Sequence, residues 1–312
     1  MTSWIVDRNV RLDRFLAEVA GISRVHARKQ IEAGCVLVNG RLARKAALIV
    51  ETGETVESTS DGTHATETRV TPMDIALPVL YEDDACFVID KPAGIPVHPG
   101  AGIPPDAQTV LHGLAKLFAD KKIPFAASHV LVHRLDKDTT GCLLIAKTPD
   151  AHRTLQMQFE MRTVKKSYLA LVYGKPSPAA AVIDAPIGRS TADRTKMTIL
   201  GSAGAREART TYRTLGTGKE ASFVACDLHT GRTHQLRVHL AGIGHPILGD
   251  PAYCSSQSQR LTEELGIEAV CLHAWRLSFQ SPSTLEVVHA ESPPSQTIER
   301  ALKAAGVMWE RS

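Results

Sequence analysis

Cysteine pairs, long apolar runs and nucleotide-binding glycine motifs are all missing from this chain. Its six cysteines, Cys35, Cys86, Cys142, Cys226, Cys254 and Cys271, are scattered with no C-x-x-C. That spacing excludes a small secreted disulfide framework and a structural zinc ribbon. None of the thirteen histidines sits in an H-E-x-x-H, so no metal is expected. No stretch approaches the roughly 18 apolar residues of a membrane span. The opening MTSWIVDRNVRLDRFL carries Asp7, Arg8 and Arg11, where a signal peptide needs an apolar core. A cytoplasmic protein without membrane attachment is the expectation. G-x-G-x-x-G and G-x-x-x-x-G-K are absent too, which argues against dinucleotide-dependent and P-loop enzymes.

What is present fits a globular chain with a charged end. The 312 residues, 43% of them apolar, suffice for two domains with full cores. Net charge is only +3, but between Arg8 and Lys45 nine basic residues face three acidic ones. A basic patch ahead of a near-neutral body is the footprint of a nucleic-acid grip.

Periodicity divides the chain. Within residues 10–57, Leu12, Phe15, Leu16 and Val19 fall at helical spacing, and Gly21 stops that helix. Ser23 can cap a second helix with Val25, Arg28 and Ile31 in register, closed by Gly34. CVLVNG then predicts a strand and an Asn39-Gly40 hairpin, with further strands at Leu48–Val50 and Glu54–Glu57. Residues 58–73 read as a polar linker. The body, 74–312, alternates strands at Ala85–Asp90, Cys142–Ala146, Ser167–Tyr173 and Ser222–Leu228 with a few helices. One helix is predicted over 150–162, and another over His234–Ala241 with Thr233 as cap. This predicts an α+β fold on a mixed, largely antiparallel sheet.

The most informative loop is His133-Arg134-Leu135-Asp136-Lys137-Asp138-Thr139-Thr140-Gly141. It lies between two strand-like runs, where a rigid sheet can present catalytic groups. Taken alone, it could equally be a hairpin tip whose aspartates cap backbone amides.

The segment HRLDKDTTGCLLIAKT resembles the signature of the RluA family of pseudouridine synthases. Four further stretches resemble the same family in order: KPAGIPVHPGAG (91–102), KKSYLALVYG (165–174), PIGRSTADRTKM (186–197) and LHTGRTHQLRVHLAGIGHPILGDPAY (228–253). The match spans about residues 75 to 290. SRVHARKQIEAGCVLVNG (23–40) independently resembles an S4 RNA-binding domain. Together with VHPGAG, this makes the chain similar to the D branch, which acts on large-subunit ribosomal RNA.

The resemblance implies a cofactor-free isomerase in which Asp136 is the nucleophile. Asp136 must be ionised to attack. Burial alone favours the neutral acid, whereas an adjacent guanidinium favours the carboxylate. Arg237 is the expected partner and Arg232 the rival; otherwise both are phosphate contacts. Tyr168, which on its own reads as strand packing, is expected to stack on the target base, with its hydroxyl assisting removal of the C5 proton. Leu248 is expected to line the pocket, its alternative being plain core packing. Arg134 is expected to fill the gap left by a flipped uridine or to grip its phosphate, unless it pairs with Asp138. His133 can orient the loop. Arg24, Arg28 and Lys29 are the expected RNA contacts of the S4-like unit. The partner is RNA, with a ribosomal target favoured over transfer RNA, and the protein is expected to be a monomer. Departures from the family are small: Thr140 stands where serine is usual, and Cys254 where glycine is common.

Two other classes compete. A silent RNA-binding adaptor has no physical need to keep Asp136, Tyr168 and Arg237 together. A metal-dependent nuclease using Asp136 and Asp138 would have Arg134 and Lys137 competing with its cation, and no third carboxylate is near.

Overall fold

The computed structural model describes residues 2–22, 24–59, 70–98, 104, 107–199 and 204–309. Ser23, the expected cap, and most of the expected linker lie outside them, as does the end of VHPGAG. The chain divides into two compact units, Met1–Arg69 and Val70–Ser312.

In the first unit the helix Leu12–Ala20 buries Leu12, Phe15 and Leu16, and ends at Gly21 in the left-handed region (φ 64°). The helix Arg24–Glu32 buries Ala27 and Ile31. Val25, expected in register with Ile31, instead points outward at 68% exposure, because the inner stripe falls on Ala27, four residues before Ile31. Val36–Val38 and Arg41–Leu42 form the expected hairpin. Asn39 (φ 51°) and Gly40 (φ 75°) both adopt left-handed backbone, as a type I′ turn requires. A strand before the expected boundary, Thr2–Ile5, pairs with Thr55–Ser58, which continues to Val36–Val38. Ile49–Val50 pairs apart from that sheet, with Val10–Arg11.

The second unit is built on a mixed sheet, nine-stranded among the described residues. Its order is Ala180–Asp184, Arg209–Thr217, Ala221–Leu228, Lys165–Tyr173, Leu272–Gln280, Thr140–Ala146, Cys86–Lys91 and Val79–Glu82, with Val287–Glu291 also paired to Leu272–Gln280. Only Leu272–Gln280 beside Thr140–Ala146 runs parallel; the other pairs are antiparallel. The expected α+β class holds. Alternation fills both faces: Phe87, Ile89, Leu143 and Ile145 join one core, while Cys86, Val88, Cys142 and Leu144 join another. The helix Val110–Asp120 packs on the first face, its Phe118 edge-on to Phe87. The helix Pro149–Glu160 places Leu155 in the second core. These two layers pack the central strands behind the loop that carries Asp136.

The helix expected over His234–Ala241 is Gln235–Gly242. Thr233 does not cap it. His234 occupies that position in a left-handed conformation (φ 55°) with no side-chain cap bond.

Candidate active site

Asp136 sits on the turn that leads into the strand Thr140–Ala146, closed by Thr139 N–H donating to the Asp136 carbonyl at 3.2 Å. Both flanks of this turn are clamped. On the upstream side, Leu144 N–H donates to His133 Nε2 at 2.8 Å, and the His133 ring stacks on Phe159. Burial, with the charge of Lys166 adding, pushes His133 down to about 3, so it is a neutral acceptor that orients the loop. On the other side, the fully buried Lys91 donates to the carbonyls of Pro92 (2.7 Å) and Lys137 (2.8 Å). Desolvation lowers Lys91 to about 8, against the pull of Asp138 and Asp136. Downstream, Gly141 (φ 103°) lies so close to the neighbouring strand that a Cβ would meet the Ala274 carbonyl oxygen at 2.2 Å. Only glycine fits there.

Arg237 projects from the helix Gln235–Gly242. Its Nη1 is 3.5 Å from Asp136, but its Nε and Nη2 donate to Asp250 at 2.7 and 2.8 Å. The bidentate partner is therefore Asp250, whose side chain is 0% exposed. Desolvation opposes the charge of Arg237. The hydrogen bonds and charge of Asp250 outweigh it, and Asp136 adds to them, so the guanidinium is held above the ordinary arginine value. Asp250 is fixed in turn by the N–H groups of Ala252 and Tyr253. Gly249 before it tolerates no Cβ, since the Ala269 carbonyl oxygen would be 2.1 Å away.

A third group faces the carboxylate. His234 Nε2 lies 3.9 Å from Asp136, while its Nδ1 is 2.8 Å from the Tyr253 hydroxyl. Met197 N–H donates to that same hydroxyl oxygen at 2.9 Å. An imidazole that accepts at Nδ1 carries its proton on Nε2 and turns an N–H toward Asp136, whereas one that donates at Nδ1 turns a bare nitrogen there. Burial lowers its pKa against the pull of Asp136, which favours the neutral imidazole.

Tyr168 lies in Lys165–Tyr173, between Cys226 on one side and Ala274 on the other, at a β-bulge after Ser167. Bulges re-aim side chains beside sites, and Tyr168 lines the same cavity as Asp136. Burial, followed by the charge of Asp136, holds its phenol above the ordinary value. The hydroxyl is therefore protonated at neutral pH.

The cavity has a volume of about 600 Å³, and Arg134, Asp136, Tyr168, Leu236 and Leu272 are among its walls. Arg232 also lines it, but donates to the Glu207 carbonyl at 2.9 Å. Of the two candidate arginines, the fold brings Arg237 to Asp136. Arg134 is exposed and borders this cavity and a smaller one of about 220 Å³; no ion pair joins it to Asp138 among the described residues. Leu248, expected at the pocket wall, is fully buried in the core and lines neither cavity. Its backbone bonds to Leu171 and Cys271 hold it between strands, and Leu236 and Leu272 take the apolar wall instead. In the first unit Arg24 is tied to the buried Asp13 and Arg28 to Glu32, whereas Lys29 is exposed with no ion pair among the described residues.

His129 and His133 stand four apart, a spacing that shares a metal on a helix. Here the segment is not helical: His129 meets His152 edge-on while His133 faces Leu144. Among the described residues no cluster of three or more His, Cys, Asp or Glu side chains is placed to hold a metal. No helix among them is long and apolar enough to cross a membrane.

Residues 85–242 match the family described as RNA pseudouridylate synthase. The chain belongs to that family. Residues 10–56 of this synthase match the S4 domain. The synthase is 38% identical over 304 residues to "Ribosomal large subunit pseudouridine synthase D" of Nitrosomonas europaea, covering 95% of this chain and 84% of that one. It is also 38% identical to an uncharacterized RNA pseudouridine synthase of Synechocystis, covering 94% and 88% respectively. Among solved structures, human RNA pseudouridylate synthase domain containing 4 superimposes with a TM-score of 0.60 at 31% identity, over 75% of this chain and 94% of that one. The protein is an RNA-modifying isomerase with an S4 domain ahead of its catalytic domain.

Asp250, Lys91, His234 and Tyr253 escape a reading of the sequence alone. Their segments are visible, but nothing in HPILGDPAY or KPAG announces which distant group each will meet.

Proposed function

We propose that this synthase isomerises uridines in large-subunit ribosomal RNA, with Asp136 as nucleophile. Residues 74–312 supply the chemistry and residues 10–57 the added RNA grip. The observation that carries the reading is one carboxylate on a clamped turn, 3.5 Å from an anchored guanidinium and sharing a cavity wall with a buried tyrosine. The ribosomal target rests on the relatives that bear that name.

The conversion breaks the N1–C1′ bond and forms a C5–C1′ bond. A proton leaves C5 and one is gained at N1, so no external reactant is needed. A carboxylate nucleophile serves such a step by holding the separated halves through a covalent adduct. Arg237, 3.5 Å away, sets a positive charge against that carboxylate. Tyr168 offers its ring as a stacking platform. Its protonated hydroxyl can relay the C5 proton but not keep it. Arg134, exposed at the mouth, is suited to fill the space vacated by the flipped nucleotide, which offsets part of the few kcal/mol of unstacking.

The test uses an unmodified large-subunit RNA transcript labelled with tritium at uridine C5. Wild type should release tritium, and Asp136→Asn should release none while RNA affinity stays within a few-fold. Turnover by Asp136→Asn would refute the nucleophile. Mapping pseudouridines in cells lacking the gene fixes the target: loss of a site in transfer RNA alone would overturn the ribosomal assignment.

A further inference from the structure

The cavity wall carries more positive charge than the nucleophile needs. Six cationic side chains, Arg134, Arg162, Lys166, Arg206, Arg232 and Arg237, line it against two carboxylates, Asp136 and Glu160. Arg237 is neutralised by Asp250. Arg162, just after the helix Pro149–Glu160, pairs with the exposed Glu207 at 3.2 Å. Arg232 is held by its Nε on the Glu207 carbonyl, so one acidic residue serves two guanidiniums.

Arg134 and Arg206 are exposed and have no ion pair among the described residues, whereas Lys166 lacks one while partly buried. It is only partly exposed, and among the described residues no carboxylate pairs with it. Its ammonium lies 5.8 Å over the Phe159 ring and close to the bare backbone of Gly231, where a Cβ would come within 3.7 Å. Desolvation lowers its pKa, and the nearby charges of Arg162 and then Arg232 lower it further. Those two arginines also repel one another, since desolvation followed by Arg206 and Arg162 lowers Arg232. A half-buried cation crowded by like charges is unfavourable in the empty protein, and an oxyanion among them would relieve it.

The strand sets where that anion would lie. Lys166 and Tyr168 are two residues apart in Lys165–Tyr173 and, across the bulge between them, both line the cavity. An anion on Lys166 would sit beside whatever stacks on Tyr168.

We propose that Lys166, with Arg162 and Arg232, forms a phosphodiester subsite in the wall of the catalytic cavity, seating the RNA strand beside the extruded uridine. This rests on the cavity being the pseudouridine site. The three cations bind backbone and not base, so the subsite adds affinity and orientation without reading sequence. Gly231 allows close approach by presenting no side chain beside the ammonium.

The test compares wild type, Lys166→Met and Lys166→Arg on the large-subunit transcript, measuring tritium release and filter-binding affinity across a range of KCl. Lys166→Met should raise KM and weaken binding about tenfold. The slope of log affinity against log salt should fall by roughly 0.7, and Lys166→Arg should restore it. Met fits the volume of lysine and removes a desolvated charge, so its Tm should not drop. Inorganic phosphate at constant ionic strength should raise the Tm of wild type but not of Lys166→Met. An unchanged salt slope in Lys166→Met overturns the subsite. So does a loss confined to kcat that Lys166→Arg fails to rescue, or a lower Tm with no specific phosphate response. If wild type releases no tritium, the pseudouridine reading fails, and the binding slopes still decide the subsite.

Discussion

Arg237 gives its two shortest contacts, 2.7 and 2.8 Å, to Asp250, and reaches Asp136 only at 3.5 Å. The guanidinium is thus anchored by a carboxylate other than the proposed nucleophile. Asp136 feels its charge without being locked in a tight bidentate pair. On the proposed reading, Asp250 positions Arg237 beside the nucleophile.

Replacing that anchor should therefore harm turnover more than binding. Asp250→Asn keeps the shape but removes one charge of a buried pair, which costs on the order of 3 kcal/mol. Urea denaturation should show that loss, and tritium release should fall by about 10- to 100-fold with RNA affinity within a few-fold. Wild-type stability and turnover in Asp250→Asn would mean Asp136 alone holds Arg237.

The ring and the hydroxyl of Tyr168 can be separated. If the ring is the stacking platform, Tyr168→Ala should weaken substrate binding by about 10- to 100-fold. Tyr168→Phe should bind normally, and any loss of kcat it shows reports the hydroxyl. Equal KM values for the two variants would remove the stacking role.

Two groups whose pKa values desolvation lowers give the same sign in two separate pH windows. His133 titrates near 3 in the folded chain, against an ordinary histidine value of 6.5. The unfolded chain then binds more protons between those values, so stability falls as pH drops below about 6.5. His133→Gln should start less stable at pH 7.5 but show a shallower decline in Tm toward pH 5. Lys91 titrates near 8, against an ordinary lysine value of 10.5, so its contribution to stability grows as pH rises from about 8 to 10.5. Lys91→Met should lose that rise and, with the Lys137 carbonyl released, lose turnover. Thermal melts from pH 5 to 10 read both. A His133→Gln profile parallel to wild type would contradict the first assignment.

In the S4 domain, neighbouring cations should behave differently. Arg24 is bound to the buried Asp13, along with Arg11, so Arg24→Gln should lower Tm. Lys29 has no such tie, and Lys29→Gln should leave Tm unchanged while reducing the salt slope of RNA affinity by roughly 0.7. The reverse pattern would mean Lys29 faces away from RNA.

The local elements are legible because their causes are local. Helical spacing at Leu12, Phe15 and Leu16, the Asn39-Gly40 turn and the alternating strand around Phe87 each follow from a few adjacent residues. The H-R-L-D turn and its family likeness likewise mark Asp136, Tyr168 and Arg237 from the order of residues. The helices Val110–Asp120, Ser256–Glu264 and Gln296–Ala304 escape that reading, and the inner face of Arg24–Glu32 is expected at Val25 where Ala27 holds it.

What the chain's order alone determined is which chemistry is carried and on which segments. Only the folded chain decided who meets whom. Asp250 is thirteen residues from Arg237, and Lys91 is forty-six from the carbonyl it holds. Leu248, two residues before Asp250, went to the core while Leu236 and Leu272 took the cavity wall. Ion pairs and buried amines are satisfied by whatever group the packing brings within about 3 Å, and that depends on strand order and register across the whole sheet.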